Sequence, residues 1–294
     1  MSDPNIKKNV RTFYDRVGWQ MIDGDCFQNA QYEDLRPVSR EYIHRCHMRV
    51  KRHLAPEGRY LLDAGSGPVQ YPEYLTYSEA YHARVCMDIS IVALQEARKR
   101  LGAHGKYVVG DVSHLPFKDE VFDGIVSLHT IHHVPLEDKV PAYEDLYRTL
   151  SPGKRMVVVN GWSRSPLMIR LRPVMRLMQR AHQWWFRKIK RQQVQTKAEQ
   201  GRAQISEADS GKGAKKRVGT YVQKLDAKWL SEALSGKMDY QILVWRSVSV
   251  SFLRSVIYPE WGGRFWLKVL FWLEERFPKF FGRVGQYLSL IHIS

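Results

Sequence analysis

Cysteine is scarce. Cys26, Cys46 and Cys86 are the only three in 294 residues, and no two of them form a C-x-x-C pair. That spacing excludes a disulfide framework and a cysteine-rich zinc site, and it fits a reducing cytoplasm. A run of about 18 apolar residues, the length needed to span a bilayer, is also missing. The longest candidate, residues 265–273, is too short and contains Lys268. The opening stretch, Met1-Ser-Asp-Pro-Asn-Ile-Lys-Lys8, lacks the apolar segment of a secretory signal. There is no internal repeat. Acidic residues are outnumbered, 30 against 46 Lys and Arg, which leaves a formal net charge of +16. Most of that excess is local: residues 164–218 hold 15 Lys and Arg against Glu199, Glu207 and Asp209. A local excess implies a local partner, either an anionic membrane surface, nucleic acid or an acidic substrate. Composition is otherwise that of a globular chain, 44% apolar and 26% charged, which excludes a chain disordered throughout.

Residues 59–160 alternate β-rich runs with helical stretches. Arg59-Tyr-Leu-Leu-Asp63 leads into Ala64-Gly-Ser-Gly67; Arg84–Asp88, Lys106–Asp111, Phe122–His129 and Lys154–Asn160 follow. Between them, Ile91–Leu101 and Leu136–Leu150 read as helices, the second stopped by Ser151-Pro-Gly153. Apolar strands separated by helices predict a mostly parallel, doubly wound α/β sheet covered on both faces. A helix over Ser39–Leu54 packs on it, a capped helix follows Asp226, and Tyr240–Trp245 and Val248–Phe252 read as closing strands, one of them antiparallel. The expected divisions are an N-terminal cap and first helix (1–58), a cofactor-binding core (59–160) and a basic insertion or lid (161–225). After these come a closing helix and strands (226–258), an aromatic and basic C-terminal helix (259–287), and residues 288–294. This last heptapeptide, Leu-Ser-Leu-Ile-His-Ile-Ser, looks like read-through of a transposon-end sequencing adaptor and is set aside from the functional reading.

Ligands of doubly wound sheets bind at the carboxyl ends of the strands, at the switch in strand order. Asp63, Asp88 and Asp111 close the first three strands, and Gly65 and Gly67 allow close backbone approach. A dinucleotide fingerprint, G-x-G-x-x-G, fails at its third glycine in Gly65-Ser-Gly67-Pro-Val-Gln70. Asp63 just before the loop would repel a pyrophosphate and suits the cationic end of S-adenosylmethionine. Asp88, 21 residues beyond Gly67, is suited to ribose hydroxyls.

These residues resemble a family. Leu61-Leu-Asp-Ala-Gly-Ser-Gly67, Met87-Asp88-Ile89, Gly110-Asp111-Val112 through Phe117, and Phe122-Asp123 through Val134 are similar to the ordered motifs of class I S-adenosylmethionine-dependent methyltransferases. The subgroup they resemble is the ubiquinone/menaquinone C-methyltransferase-like one (methyltransferase type 11). The resemblance covers residues 59–160 and implies a Rossmann-like methyltransferase sheet. It implies that Asp63, Gly65 and Gly67 surround the methionine moiety, that Asp88 with Ile89 holds the ribose, and that Asp111 and Val112 read the adenine edge. Leu128 and His129 would touch the methionine end. Phe13-Tyr14-Asp15 resembles the N-terminal element that caps the cofactor. Val69 departs from the family's usual glycine.

Methyl transfer asks the protein for positioning and, for a hydroxyl or carbon acid, for proton removal. His129, His132 and His133 follow the fourth strand; His129, with His133 second, is the expected base, and the alternative is a helix-capping or packing role. The spacing also admits metal ligands, but no acidic or cysteine partner is close in sequence, so no metal is expected. Within the insertion, Leu167, Leu171, Val174, Met178, Ala181 and Trp185 share one helical face, opposite Arg172, Arg176, Arg180 and Arg187, with Pro173 expected to kink or restart the helix. Residues 193–219 read as a polar loop. A basic amphipathic helix with tryptophans, followed by Trp261, Phe265, Trp266, Phe271 and Trp272 among Lys and Arg, fits a membrane surface; the alternative is a lid docked on the protein's own core. The expectation is a cytoplasmic S-adenosylmethionine-dependent enzyme, peripheral at a membrane, that C- or O-methylates a small, hydrophobic or lipid-linked acceptor. An RNA methyltransferase using the basic insertion and a non-catalytic cofactor-binding protein are the rival readings.

Overall fold

In the computed structural model, which describes residues 4–19, 21–23, 26–27, 33–200 and 220–293, the predicted alternation becomes one central sheet. The chain opens with α1 (Pro4–Phe13), which runs into a π-helical turn at Tyr14–Gly18, and a short hairpin, β1 (Met21–Asp23) and β2 (Cys26–Phe27). α2 (Arg40–Lys51) precedes β3 (Gly58–Ala64), the single turn α3 (Pro72–Leu75), β4 (Tyr81–Asp88), α4 (Ile91–Leu101), β5 (Gly105–Val109), β6 (Phe122–Leu128) and α5 (Leu136–Thr149). β7 (Leu150–Gly161), α6 (Pro166–Gln200), α7 (Ala227–Ala233), β8 (Tyr240–Arg246), α8 (Val250–Val256), α9 (Gly263–Arg276), α10 (Pro278–Val284) and β9 (Tyr287–Ile293) complete it.

The seven-stranded order is β5-β4-β3-β6-β7-β9-β8. β3 pairs in parallel with both β4 and β6, so the order reverses at β3 and opens a crevice at its carboxyl end. β9 lies antiparallel between β7 and β8. Alternation along each strand feeds two cores. Leu62, Met87, Ile125 and Val158 pack under α5 and α7 on one face. Leu61, Cys86, Val126 and Val157 pack on the other face with Val50 of α2 and Leu94 of α4. A third cluster joins Tyr42, Met168, Leu253 and Phe271 from α2, α6, α8 and α9.

Three expectations are corrected. Val248–Phe252 is not a strand: Ser249 accepts the Phe252 N–H at 3.1 Å and caps α8 instead. The C-terminal helix is two helices, because Phe277 leaves helical geometry and Pro278 starts a new one. Pro173 neither ends nor restarts α6. It sits on an exposed face, and the helix continues through residues 193–200, part of the expected loop. Residues 201–219 lie outside the described residues. Residues 288–293, set aside from the functional reading, form most of β9, where Leu288, Leu290 and Ile291 are buried. That strand requires only apolar alternation, which the heptapeptide supplies, so its packing does not bear on its origin.

Candidate active site

The loop after β3 determines the shape of the site. Gly65 (φ +77°) and Gly67 (φ +54°) adopt left-handed backbone, and a Cβ at Gly65 would stand 2.2 Å from Thr130 Cγ2. Only glycine lets this loop lie against the segment after β6. Val69 takes the same left-handed region (φ +52°) with its side chain fully buried, so the loop keeps its glycine-type path without the family's glycine. Above the loop lies a cavity of about 490 Å³, within the ~300–1,000 Å³ usual for small-molecule sites. Every residue assigned from sequence lines it: Tyr14, Asp63, Gly65, Gly67, Asp88, Ile89, Asp111, Val112, Leu128, His129 and His133.

The three strand-end carboxylates are not equivalent. Asp63 is buried against Arg84, whose Nε donates to Oδ2 at 3.1 Å, and both are almost fully enclosed. Its charge is therefore neutralised within the protein, which corrects the argument that Asp63 selects a cationic ligand by charge. Asp111 is engaged as well. Its Oδ2 lies 2.6 Å from Lys7 Nζ, and Oδ1 accepts from the Ser113 N–H and hydroxyl. Burial alone would raise its pKa, but the Lys7 and Ser113 hydrogen bonds hold it below the ordinary value. Lys7 also pairs with Asp138 of α5 at 2.7 Å, so α1 is clamped over the end of the cavity expected to hold adenine. Asp88 alone of the three has no basic partner among the described residues. It accepts the Gly67 N–H at 2.8 Å and the Ser90 N–H at 2.8 Å, and burial pushes its pKa up to about 6. Ser90 caps α4 and donates to Asp15 at 2.5 Å, linking Asp88 to the turn that carries Tyr14.

The site fits a nucleoside with a cationic substituent. Each Asp88 oxygen keeps a lone pair for a ribose hydroxyl, Ile89 and Val112 offer an apolar slot for a base, and the glycines admit a chain along the floor.

His129 holds a left-handed backbone (φ +58°) and lies edge-on to Trp245 at 4.9 Å and to Tyr287 at 5.6 Å. Burial, reinforced by Arg246, drives its pKa down to about 3. It is held neutral and packed between two rings, an arrangement that suits the alternative packing role better than that of a base. His133 is fixed by two contacts. Its Nδ1 lies 2.7 Å from the Tyr221 carbonyl and its Nε2 lies 2.7 Å from the Tyr14 hydroxyl. A carbonyl only accepts, so Nδ1 carries the proton and Tyr14 donates to Nε2. Burial holds His133 down to about 4. The hydroxyl presented to the cavity is therefore that of Tyr14, with His133 Nε2 behind it as its hydrogen-bond acceptor.

Several lining residues escaped the sequence reading. Trp19 stacks on Tyr14 at 5.2 Å and lies over Gly67. At the far end, Arg246 pairs with Glu33, and Lys224 and Tyr287 complete the wall. Arg246 terminates β8, which runs parallel to β7, so the strand-end rule would have found it if applied to the closing strands.

Residues 62–158 match the methyltransferase domain family. Over 139 residues the chain is 32% identical to the ubiquinone/menaquinone biosynthesis C-methyltransferase of Ruegeria sp., covering 44% of this chain and 54% of that one. It is 32% identical over 153 residues to squalene methyltransferase 1 of Botryococcus braunii, covering 49% and 39%. With a probable tRNA methyltransferase 9B of Mus musculus it shares 28% over 133 residues, covering 44% and 28%. The chain thus spans about half, or less, of the length of these curated relatives. The solved phosphoethanolamine N-methyltransferase 1 of Haemonchus contortus, with phosphoethanolamine and S-adenosylhomocysteine, has a similar fold at TM-score 0.55 and 11% identity, covering 100% of this chain and 50% of that one. The [4+2]-cyclase SpnF gives 0.50 at 16%, covering 98% and 96%. The fold is that of the Rossmann-like methyltransferases. Residues 62–158 therefore carry a methyltransferase domain on the fold that class I S-adenosylmethionine-dependent methyltransferases share.

Proposed function

We propose that this protein methylates a hydrophobic or lipid-linked acceptor with S-adenosylmethionine, while lying peripherally on an anionic membrane surface at the cytoplasmic side. One observation carries the reading. A single cavity joins the Gly65–Gly67 loop and Asp88 to a chamber walled by Phe13, Trp19, Tyr71, Tyr74 and Tyr287. Bound S-adenosylmethionine supplies a methyl group already activated by its sulfonium. Asp88 holds the ribose, Ile89 and Val112 sandwich the base, and Leu128 with His129 close the methionine end. The aromatic wall excludes water and aligns the acceptor for in-line displacement. The Tyr14 hydroxyl, aligned by His133 Nε2, is the group placed to receive a proton from the acceptor while passing its own inward. A neutral imidazole this weakly basic suits an acceptor that is nucleophilic without strong proton abstraction.

The membrane part rests on two exposed helical faces. On α6 most of the predicted stripe docks on the protein: Leu167 and Leu171 pack against the third cluster and Trp185 lies edge-on to Trp261 at 6.1 Å, beside His182, which stacks on Tyr258 at 3.6 Å. Val174, placed in that stripe from sequence, is 43% exposed. One flank of the helix, about a quarter-turn or more round from that stripe, carries Leu177 (67% exposed), Arg180, Trp184 (64% exposed) and Lys188. On α9, Phe265 (61% exposed), Lys268, Trp272 (62% exposed) and Arg276 repeat the same apolar-basic-tryptophan-basic order at the same spacing of three, four and four residues. Alternating rings and cations of this kind suit a headgroup boundary. No described helix is long and apolar enough to cross a membrane.

The test is incubation with methyl-labelled S-adenosylmethionine and a fractionated cell extract. Label should enter the organic-extractable fraction, and Asp88→Asn should abolish it. Label in RNA would replace this reading with RNA methylation. Binding without transfer to any fraction would make the protein a non-catalytic cofactor binder.

A further inference from the structure

The acceptor end of the cavity is electrostatically lopsided. Asp63 and Asp111 are each matched by a basic partner, and at the acceptor end Glu33 is matched by Arg246. Lys224 is left over. It lines the cavity, and among the described residues no carboxylate lies within ion-pair distance of its ammonium. Its position is built rather than incidental. A Cβ at Gly161, which ends β7, would lie 3.3 Å from Lys224 Nζ and 3.3 Å from the Tyr287 ring, so glycine there makes room for the ammonium. Lys224 Nζ stands 5.9 Å from the Tyr287 ring centroid, and the Arg246 guanidinium stands 4.7 Å from the same centroid. Arg246 is 2% exposed, and its Nε is buried without a hydrogen-bond partner. An unused donor and an unpaired ammonium therefore flank one aromatic ring in a cavity whose histidines are all held neutral. Unpaired buried donors are expensive, and an anion brought by the ligand would satisfy both.

We propose that Lys224, with Arg246 across the Tyr287 ring, forms a recognition site for an anionic group on the methyl acceptor, either a carboxylate or a phosphate monoester attached to an apolar body. This rests on the acceptor-end reading of the cavity given above. The chain enters along the aromatic wall, the anion docks between the two cations, and the distance from that anchor to the methionine end selects which atom is methylated.

The experiment is isothermal titration of the protein loaded with S-adenosylhomocysteine, using laurate, dodecyl phosphate and dodecanol as probes, all below micelle concentration. At least one anionic probe should bind tenfold or more tightly than dodecanol. Lys224→Gln should remove that advantage, whereas Lys228→Gln, on an exposed lysine of α7, should not. S-adenosylhomocysteine affinity should be the same in all three proteins. A preference for laurate assigns the carboxylate and a preference for dodecyl phosphate assigns the phosphate. Equal binding of anion and alcohol, or an unchanged preference in Lys224→Gln, overturns the anion site while leaving the methyltransferase reading intact. Failure of the wild-type protein to bind S-adenosylhomocysteine overturns the reading on which both depend.

Discussion

Asp88 should make the affinity for S-adenosylhomocysteine pH-dependent, with a sign set by its burial. Its free-state pKa lies at about 6, because burial penalises the carboxylate more than the Gly67 and Ser90 N–H groups favour it. Ribose hydroxyls donate to the ionised form, so binding requires the proton to leave. A group with that pKa is about nine-tenths ionised near pH 7 and one-tenth ionised near pH 5, so affinity should fall about tenfold across that interval, or about 1.4 kcal/mol. Three cavity groups lie outside this window. His129 and His133 are pushed to about 3 and about 4, and Asp111 is held low by Lys7. Without ligand the sign reverses: the raised pKa means that folding stability contributed by protonated Asp88 is lost as pH rises from the ordinary carboxylate range through about 6. In Asp88→Asn the pH dependence should vanish. Affinity near neutral pH should drop by about 1.5–3 kcal/mol, the worth of hydrogen bonds to a charged acceptor. Calorimetric titration from about pH 5 to pH 8 measures both. A flat profile in the wild type, or an Asn variant that binds as well as the parent, would refute the ribose assignment.

Four further outcomes follow from the same geometry. Val69→Gly relieves a left-handed backbone strain of about 1–2 kcal/mol but removes a fully buried side chain worth about 1.5–3 kcal/mol and adds unfolded-state entropy; urea denaturation should show a net loss of about 1–2 kcal/mol, and a loss well above about 3 kcal/mol would mean the loop is not strained at this residue. Arg84→Met strands Asp63 as a buried unpaired carboxylate and should cost about 3–5 kcal/mol in the same assay; stability within 1 kcal/mol of wild type would show the pair is dispensable. Tyr14→Phe removes the only hydroxyl aligned by His133, so label transfer should fall about 10²-fold with S-adenosylhomocysteine affinity kept within about twofold; unchanged transfer would take Tyr14 out of the proton path. Trp184→Ala and Trp272→Ala should each weaken co-sedimentation with vesicles containing phosphatidylglycerol by about tenfold, of the order of one buried aromatic ring, without altering stability; no change in either would move the membrane face elsewhere.

The five strands of the core, the two helices between them and the glycine loop were legible because apolar period, helix stop signals and left-handed turns are local properties. The site residues were legible as a set for the same reason: strand ends are local, and the topology gathers strand ends at one edge. What was not legible is pairing across the fold. Arg84 sits in a predicted strand 21 residues from Asp63, and only the parallel register of β3 and β4 makes them partners. Lys7 reaches Asp111 from a helix whose docking no local pattern encodes. A trio of open carboxylates therefore reduced to one, Asp88. The α8 misreading has a different cause. Val248-Ser-Val-Ser-Phe252 alternates as a strand would, but a serine cap at its start and packing of Leu253 and Val256 into the third cluster let tertiary packing override that propensity. On α6 the periodicity was right and the surroundings were not. The apolar stripe found a protein partner, and the face left to solvent was the one bearing Leu177 and Trp184.

The most direct measurement is a crystal structure of the protein with S-adenosylhomocysteine. The ribose hydroxyls should rest on the Asp88 carboxylate, the adenine should lie between Ile89 and Val112 beneath the Lys7 clamp, and the sulfur should face Leu128 and the aromatic chamber. A ligand bound elsewhere, or one lying in the cavity with its sulfur turned away from Tyr14 and Tyr287, would contradict the account.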